Sequence, residues 1–482
     1  MTRRFLLRTC GAGAVLAPLV ALFGHEAEGA VRMGRGYGLL KPRLPLNTRD
    51  VYARRADGGL AFDYRGVPLL SLPPHFRYHV LSCTGQPMSD GGRVPGDHDG
   101  MACFPAPGGG YILLRNHELN LREAKFGSRE GVVVAPELRY DSFANGGVTT
   151  LVLDAQGQLV RHFAALGGTN NNCSGGPTPW GSWLTCEEST ALPADGSYTR
   201  RHGYVFEVPA DARGPVPAEP LVAMGRFAHE AAATDPRTGT VYMTEDREDG
   251  LFYRFVPNRP GELRAGGRLQ ALRLAGRADD DVHTSLDPAV RSREPQAVDW
   301  VDIAQPDPPD NAPQRSTRVQ GRALGAVRFA RGEGAHFGNG QVYFCCTTGG
   351  AAQAGQVFVH DPRSGTLGLV VESRRRSLID APDSITVGPD GTLYLSEDGG
   401  RGNGILGVDR QGHLFTVARN SVNGSEFCGG TFSPDGRFLF VNMQTPGLTL
   451  AIEGPWDRRA AGPVFDAAAG RRGPATAPAR RT

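Results

Sequence analysis

One local pattern recurs six times along the chain and restricts what it can fold into. Each unit has an acidic or polar start, a short strand, a glycine-containing turn, and a second strand ending in polar residues. The units are 99–118 (DGMACFPAPGGGYILLRNHE), 173–188 (CSGGPTPWGSWLTCEE), 230–246 (EAAATDPRTGTVYMTED), 333–348 (EGAHFGNGQVYFCCTT), 383–398 (DSITVGPDGTLYLSED) and 426–444 (EFCGGTFSPDGRFLFVNMQ). Their Pro-Asp-Gly, Asn-Gly and Arg-Thr-Gly turns suit hairpins, because these residues accept the positive φ of tight turns. The second strands are rich in β-branched and aromatic residues, as at 438–441 (FLFV). No long stretch has helical periodicity, so the expected class is all-β.

Further strand pairs lie between the units, at 148–154 with 158–166, 203–208 with 219–224, 356–360 with 366–372, and 404–409 with 413–418. Four strands per unit, repeated radially, predict a six-bladed β-propeller. A lone strand at 76–83 precedes the first unit, and 448–453 is the last good strand. Their pairing would complete the sixth blade and remove an open edge. The expected layout is an N-terminal extension at 31–75, a propeller at 76–456, and a flexible tail at 457–482. The stretch 251–330 is longer than one strand pair needs and reads as an insertion between blades three and four.

The N-terminus, MTRRFLL followed by an apolar run to residue 24, reads as a twin-arginine signal over 1–30. An exported protein, periplasmic or secreted, is expected, with the twin-arginine export machinery as a partner. No later segment is apolar enough to span a bilayer. A net charge of +2 gives no argument for nucleic acid or an acidic membrane surface, and no nucleic-acid partner is expected. Eight cysteines include Cys10 in the signal, which leaves seven, so at least one is unpaired or a ligand.

Hairpin geometry puts the start of each first strand and the end of each second strand at one edge. Asp99, Cys173, Glu230, Glu333, Asp383 and Glu426 should therefore ring one mouth of the central channel. Behind them stand Glu118, Glu187 or Glu188, Glu245 with Asp246, Glu397 with Asp398, and Asn442 in the sixth unit. So many facing carboxylates repel unless cations lie between them. Oxygen donors suit Ca²⁺, and one thiolate among them favours a transition metal, with iron the natural candidate. The metal-ligand candidates are thus Cys173, Glu230, Glu333, Asp383, Glu426, Asp99, Glu118, Glu188, Glu245 and Glu397. Arg331, two residues before Glu333, is the expected clamp for a phosphate or carboxylate, with Arg115, Arg226 and Arg247 as alternates. Arg331 and Glu333 are the catalytic candidates, and Arg331 and Arg115 the substrate-binding ones. His117 and His229 read as orienting groups, and Trp180 and Trp183 as packing.

Several stretches together carry a resemblance: RNHE at 115–118, NCSGG and PWGSWLTCEE within 172–188, FAHEAAATDPRTGTVYMTED at 227–246, GEGAHF at 332–337, PDGTLYLSEDGG at 389–400, and FSPDGRFLFVNMQTPG with AIEGPW within 432–456. They resemble the PhoX-type alkaline phosphatases. That resemblance implies a six-bladed propeller and hydrolysis of small-molecule phosphate monoesters. It also implies a cofactor of Fe³⁺ and Ca²⁺ joined by an oxo bridge, with Cys173 an iron ligand, Glu230 and Glu333 metal ligands, and Arg331 on the substrate phosphate. On this expectation a metal-bound oxo, hydroxide or water attacks phosphorus in line. Cys428 stands where a smaller residue is expected. Two rival readings are a calcium-dependent propeller hydrolase of the lactonase or phytase type, which leaves Cys173 idle, and a non-enzymatic binding propeller at the cell surface.

Overall fold

The structure, a computed structural model, describes residues 32–33, 36–54, 59–120, 131–276, 284–400 and 402–456. The expected signal at 1–30 and the expected tail at 457–482 lie outside the described residues. The chain is all-β with a propeller-like arrangement of sheets, and its only α-helix among the described residues is Thr317–Arg322.

All six expected hairpins form. They are His98–Pro105 with Tyr111–His117, Asn172–Pro177 with Ser182–Glu187, His229–Thr234 with Val241–Glu245, Gly332–Gly338 with Gln341–Cys346, Pro382–Val387 with Leu393–Glu397, and Phe427–Phe432 with Phe438–Met443. Each first strand packs on the first strand of the next hairpin, and Phe427–Phe432 returns to His98–Pro105, so these strands form a closed ring. The second strands are apolar at consecutive positions because both of their faces are covered. Leu113 and Phe440 pack between the sixth and first sheets, Leu114 and Trp183 between the first and second, and Leu184 and Met243 between the second and third. Phe252 stacks on Phe344 across the third and fourth, with ring centroids 4.1 Å apart.

Closure uses the N-terminal strand. Arg77–Cys83 pairs antiparallel with Leu448–Glu453, with Val80 opposite Leu450 and Tyr78 opposite Ile452. The residues before it add to the fifth sheet: Leu70–Leu72 continues from His413–Asn420, and Lys41–Arg43 pairs with Leu70–Leu72. Much of 251–330 is sheet. Gly250–Pro257 and Gly267–Leu274 extend the third hairpin outward, and Gln296–Asp302 bridges to Thr366–Glu372 of the fourth.

Every first strand carries a one-residue register shift at the same end, between His98 and Met101, Asn172 and Gly175, His229 and Ala232, Gly332 and Ala335, Pro382 and Ile385, and Cys428 and Thr431. Such bulges re-aim side chains. Here they turn one residue per hairpin into the channel mouth. Gly100 and Gly334 follow the aimed residue because the next first strand lies against them. A Cβ on Gly100 would sit 2.6 Å from Ser174 Cα, and one on Gly334 2.7 Å from the Asp383 carbonyl.

Candidate metal centre

The bulges deliver Asp99, Cys173, Glu230, Glu333 and Asp383 to equivalent positions. Strand register puts Cys428, not Glu426, in that position of the sixth hairpin: Phe427 pairs with Met443 and Cys428 with Asn442, as His98 pairs with His117. Glu426 occupies the preceding rim position. Its carbonyl accepts from the Gln444 amide at 3.4 Å, as the Arg331 carbonyl accepts from Thr347 at 3.0 Å and the Asn171 carbonyl from Glu188 at 3.0 Å. Glu426 still faces the cluster, since Asp383, Asp398, Glu118 and Glu230 all press on its carboxyl.

One residue past the second strand, five of the six hairpins offer Glu118, Glu188, Asp246, Asp398 and Gln444 to the same mouth, while the fourth has Thr347, which donates to the Pro382 carbonyl. Glu245 and Glu397, expected there, are not brought to it. Neighbouring residues of an extended chain point to opposite sides, and theirs is the outer one. Glu245 accepts from the Tyr253 hydroxyl at 2.9 Å and pairs with Arg318 at 3.4 Å. Glu397 accepts from the Asp380 amide at 2.9 Å and pairs with Arg419 at 3.2 Å. Glu187 likewise turns away, to His202 Nδ1 at 2.7 Å, which leaves Glu188 as the inner residue of that pair. Asn442 is not in the tier either; its amide donates to the Asp99 carbonyl.

Arg115 does not reach the centre. Its fully buried guanidinium donates to Thr149 Oγ1 at 2.9 Å and Thr449 Oγ1 at 2.7 Å, which braces the sixth sheet to the first. Burial pushes it down to about 9. His117 contacts the Gly96 carbonyl and Thr149, and His229 contacts the Gly225 carbonyl while stacking on Phe227, so both work as braces.

Four polar residues outside the expected set position the mouth. Asn171 Nδ2 donates to Glu118 Oε1 at 3.1 Å and to Glu188 Oε2 at 3.0 Å. Gln444 Nε2 donates to Glu118 Oε2 at 2.7 Å and to Asp99 Oδ2 at 3.3 Å. Asn116 Nδ2 donates to the Cys173 and Ser174 carbonyls at 3.0 and 2.7 Å, and Trp183 Nε1 fixes Asn116 Oδ1 at 2.8 Å. Thr244 Oγ1 donates to the Glu333 carbonyl at 2.6 Å. Asn116, Thr244 and Asn442 hold the bulge of the next hairpin in the ring. A side chain that serves a neighbouring repeat leaves no mark within its own, although the RNHE and NMQ contexts contained two of them.

Arg331 sits just ahead of its strand with φ 51°, and Asp97 and Asn171 take the same left-handed turn at φ 42° and 54°. Its fork grips Asp246, with Nε to Oδ1 at 2.7 Å and Nη2 to Oδ2 at 2.9 Å, while Nη2 also donates to Glu333 Oε1 at 2.9 Å. Nη1 makes no hydrogen bond with the described residues, and the side chain is 34% exposed. The reach to Glu333 thus comes from a left-handed entry turn ahead of the strand.

The donors converge on the thiol. Cys173 Sγ lies 3.3 Å from Glu230 Oε1 and 3.8 Å from Asp99 Oδ2. Asp99, Glu118 and Cys173 form one group of potential ligand atoms within 4.8 Å of one another, and Cys173, Glu188 and Glu230 form a second. Glu230 Oε2 is buried with no hydrogen-bond partner. A buried orphan oxygen beside a shared thiol fits a cation, so the residues present suit metal ions.

Burial, and then the neighbouring carboxylates, drive Asp99, Glu230, Glu333, Glu188 and Glu426 well above the usual carboxylate range. Burial and Asp398 raise Asp383 to about 7. Burial, Asp99 and Glu230 push the Cys173 thiol up. Burial also works against the charge on Asp246, yet the hydrogen bonds and charge of Arg331 hold it below the usual range. Without cations the folded cluster therefore keeps protons that the unfolded chain releases. Such groups stabilise the fold fully below their unfolded values near 4 and lose that contribution as pH rises through their folded values. Cation-free protein should melt at lower temperature at pH 8 than at pH 5, and added cations should raise the pH 8 melting temperature more. Equal melting temperatures at both pH values would contradict this.

The geometry defines an all-β protein with a carboxylate-and-thiolate cluster, suited to cations, at one mouth of a closed ring of strands. The family model for alkaline phosphatase PhoX matches residues 58–447. The chain belongs to the PhoX alkaline phosphatase family and is an enzyme of the phosphoric monoester hydrolase class. Among solved structures it is similar to Pseudomonas fluorescens PhoX in complex with vanadate, a transition state analogue, at 20% identity and a TM-score of 0.60, covering 80% of this chain and 96% of that one. A gluconolactonase from Xanthomonas campestris, XC5397, is matched at 15% identity and a TM-score of 0.41, over 79% of this chain and 90% of that one. No curated protein matches the chain.

Proposed function

We propose that phosphate monoesters are hydrolysed at this centre, which holds more than one ion, iron(III) and calcium together. The observation that carries the reading is the Cys173 thiol shared by two oxygen-donor groups, Asp99 with Glu118 and Glu188 with Glu230. A soft donor grouped with carboxylates favours a transition metal beside hard cations, whereas the Cys428 thiol is turned to the His98 carbonyl. The ions, when bound, supply charge neutralisation at the phosphoryl oxygens and an acidified water. Glu333 and Asp383 are the further oxygen donors.

The protein's own part is to place the ester. Arg331 is locked by Asp246 and Glu333, so its free Nη1 points a fixed charge at a phosphoryl oxygen without reorganising. Water adds across the P–O bond to the alcohol, and inorganic phosphate and the alcohol leave. The six hairpins are read as the inner halves of six blades, with the segment 251–330 elaborating the junction of blades three and four. Residues 1–30 are read as a twin-arginine signal that delivers the folded enzyme to the periplasm or beyond.

Elemental analysis combined with a phosphatase assay tests this. Purified protein should carry iron and calcium and turn over p-nitrophenyl phosphate at alkaline pH. Chelation should lower the rate by about a hundredfold or more, in line with several kcal/mol of lost charge stabilisation. Metal-free protein with full activity would overturn the reading.

A further inference from the structure

A cavity of about 400 Å³ opens beside the metal centre. Its floor contains Glu188 and Asn171, which belong to the centre, and its walls include Asn120, Tyr198, Asn311 and Arg247. Among the described residues lining it, Ala191 alone lacks a polar side-chain group. The walls are held in place: Tyr198 donates to Asn170 Oδ1 at 2.8 Å, Asn120 to Asn171 Oδ1 at 3.0 Å, and Asn311 to the Thr190 carbonyl at 2.9 Å. The Asp195 carboxylate, also on the wall, accepts from the Leu192 amide at 2.8 Å.

Arg247 is the unusual member. It follows Asp246, the residue Arg331 grips, and the Arg331 amide donates to the Arg247 carbonyl at 2.9 Å. The two arginines therefore stand on turns bonded to each other at one rim. Arg331 is committed to two carboxylates, whereas the exposed Arg247 side chain forms no hydrogen bond or ion pair with the described residues. A cation that acts on Asp246 through its charge but spends no hydrogen bond on it, on the wall of a polar cavity lined in part by the reaction centre, is placed to meet an anion on the departing part of the substrate.

Resting on the phosphatase reading, we propose that this cavity receives the leaving group, and that Arg247 binds a second anionic group, a carboxylate or a phosphate, carried by it. The preferred substrates are then phosphate monoesters of small, polar, anionic alcohols such as hydroxy acids, rather than esters of aryl or neutral alcohols.

The test compares kcat/KM of the full enzyme on 3-phosphoglycerate, glycerol 3-phosphate and p-nitrophenyl phosphate. The first two have equal carbon counts and differ in the carboxylate. The native enzyme should favour 3-phosphoglycerate over glycerol 3-phosphate by about tenfold, the scale of one charge-assisted hydrogen bond. Arg247→Ala should bring that ratio close to one, mainly through KM, and Arg247→Lys should recover part of it. A native ratio at or below one, or a ratio unchanged by Arg247→Ala, overturns the proposal while leaving the phosphatase reading in place. Native enzyme that hydrolyses none of the three esters overturns both.

Discussion

Cys173→Ala should lower kcat for p-nitrophenyl phosphate by about a thousandfold or more, since a displaced ion removes several kcal/mol of charge stabilisation at the phosphoryl group. The same variant should lose iron while it keeps much of its calcium. The thiol is the one soft donor held against Asp99 and Glu230; the oxygen donors remain after substitution. Folding should survive, because the bulge that aims residue 173 is held by Asn116 through the backbone carbonyls of Cys173 and Ser174. Cys173→Asp separates charge from softness. It restores a ring carboxylate like those of the first, third, fourth and fifth hairpins, so it should recover cation binding and melting temperature but not iron content. Cys428→Ala is the control: its thiol donates to the His98 carbonyl at 3.0 Å, and its loss should cost far less activity. Full iron content and full rate in Cys173→Ala would remove the thiol from the centre.

The hairpins were legible in the sequence because their signal is local. Turn residues such as Pro389-Asp390-Gly391 and apolar second strands such as Phe438–Met443 state their geometry within a dozen residues. The partner of the last strand was legible for a different reason: Arg77–Cys83 lacked a neighbour, and Leu448–Glu453 needed one. What stayed hidden was a matter of one residue in register. In the pairs Glu187-Glu188, Glu245-Asp246 and Glu397-Asp398, alternation guarantees that only one member faces the channel, but the phase depends on a bulge that the sequence does not announce. The same bulge decides between Glu426 and Cys428. Arg115 misled for another reason, since a guanidinium satisfied by two threonine hydroxyls and a histidine looks, in sequence, like one waiting for a phosphate. Asn116 and Gln444 were invisible as site residues because each acts on a different hairpin from its own.

Arg331→Ala should lower kcat/KM by about a hundredfold to a thousandfold, the range seen when one preorganised donor is removed from a charged transition state. Both parameters should suffer. KM rises because Nη1 no longer meets the phosphoryl group, and kcat falls because Glu333 loses the guanidinium that fixes Oε1 at 2.9 Å. Competitive inhibition by inorganic phosphate should weaken in parallel, a readout that a merely structural arginine would not move. Arg331→Lys keeps the charge but cannot grip both Asp246 oxygens and Glu333 at once, so it should recover a minor part of kcat/KM. Asp246→Asn supplies the complementary case. It leaves the guanidinium present and Nη2 on Glu333 but removes the charge and one of the two acceptor oxygens of the Asp246 grip, so the loss should fall mainly on kcat, with phosphate inhibition largely kept. If Arg331→Ala altered stability without altering phosphate inhibition, the residue would be a rim brace like Arg419 on Glu397, and the clamp would have to be sought elsewhere on the mouth.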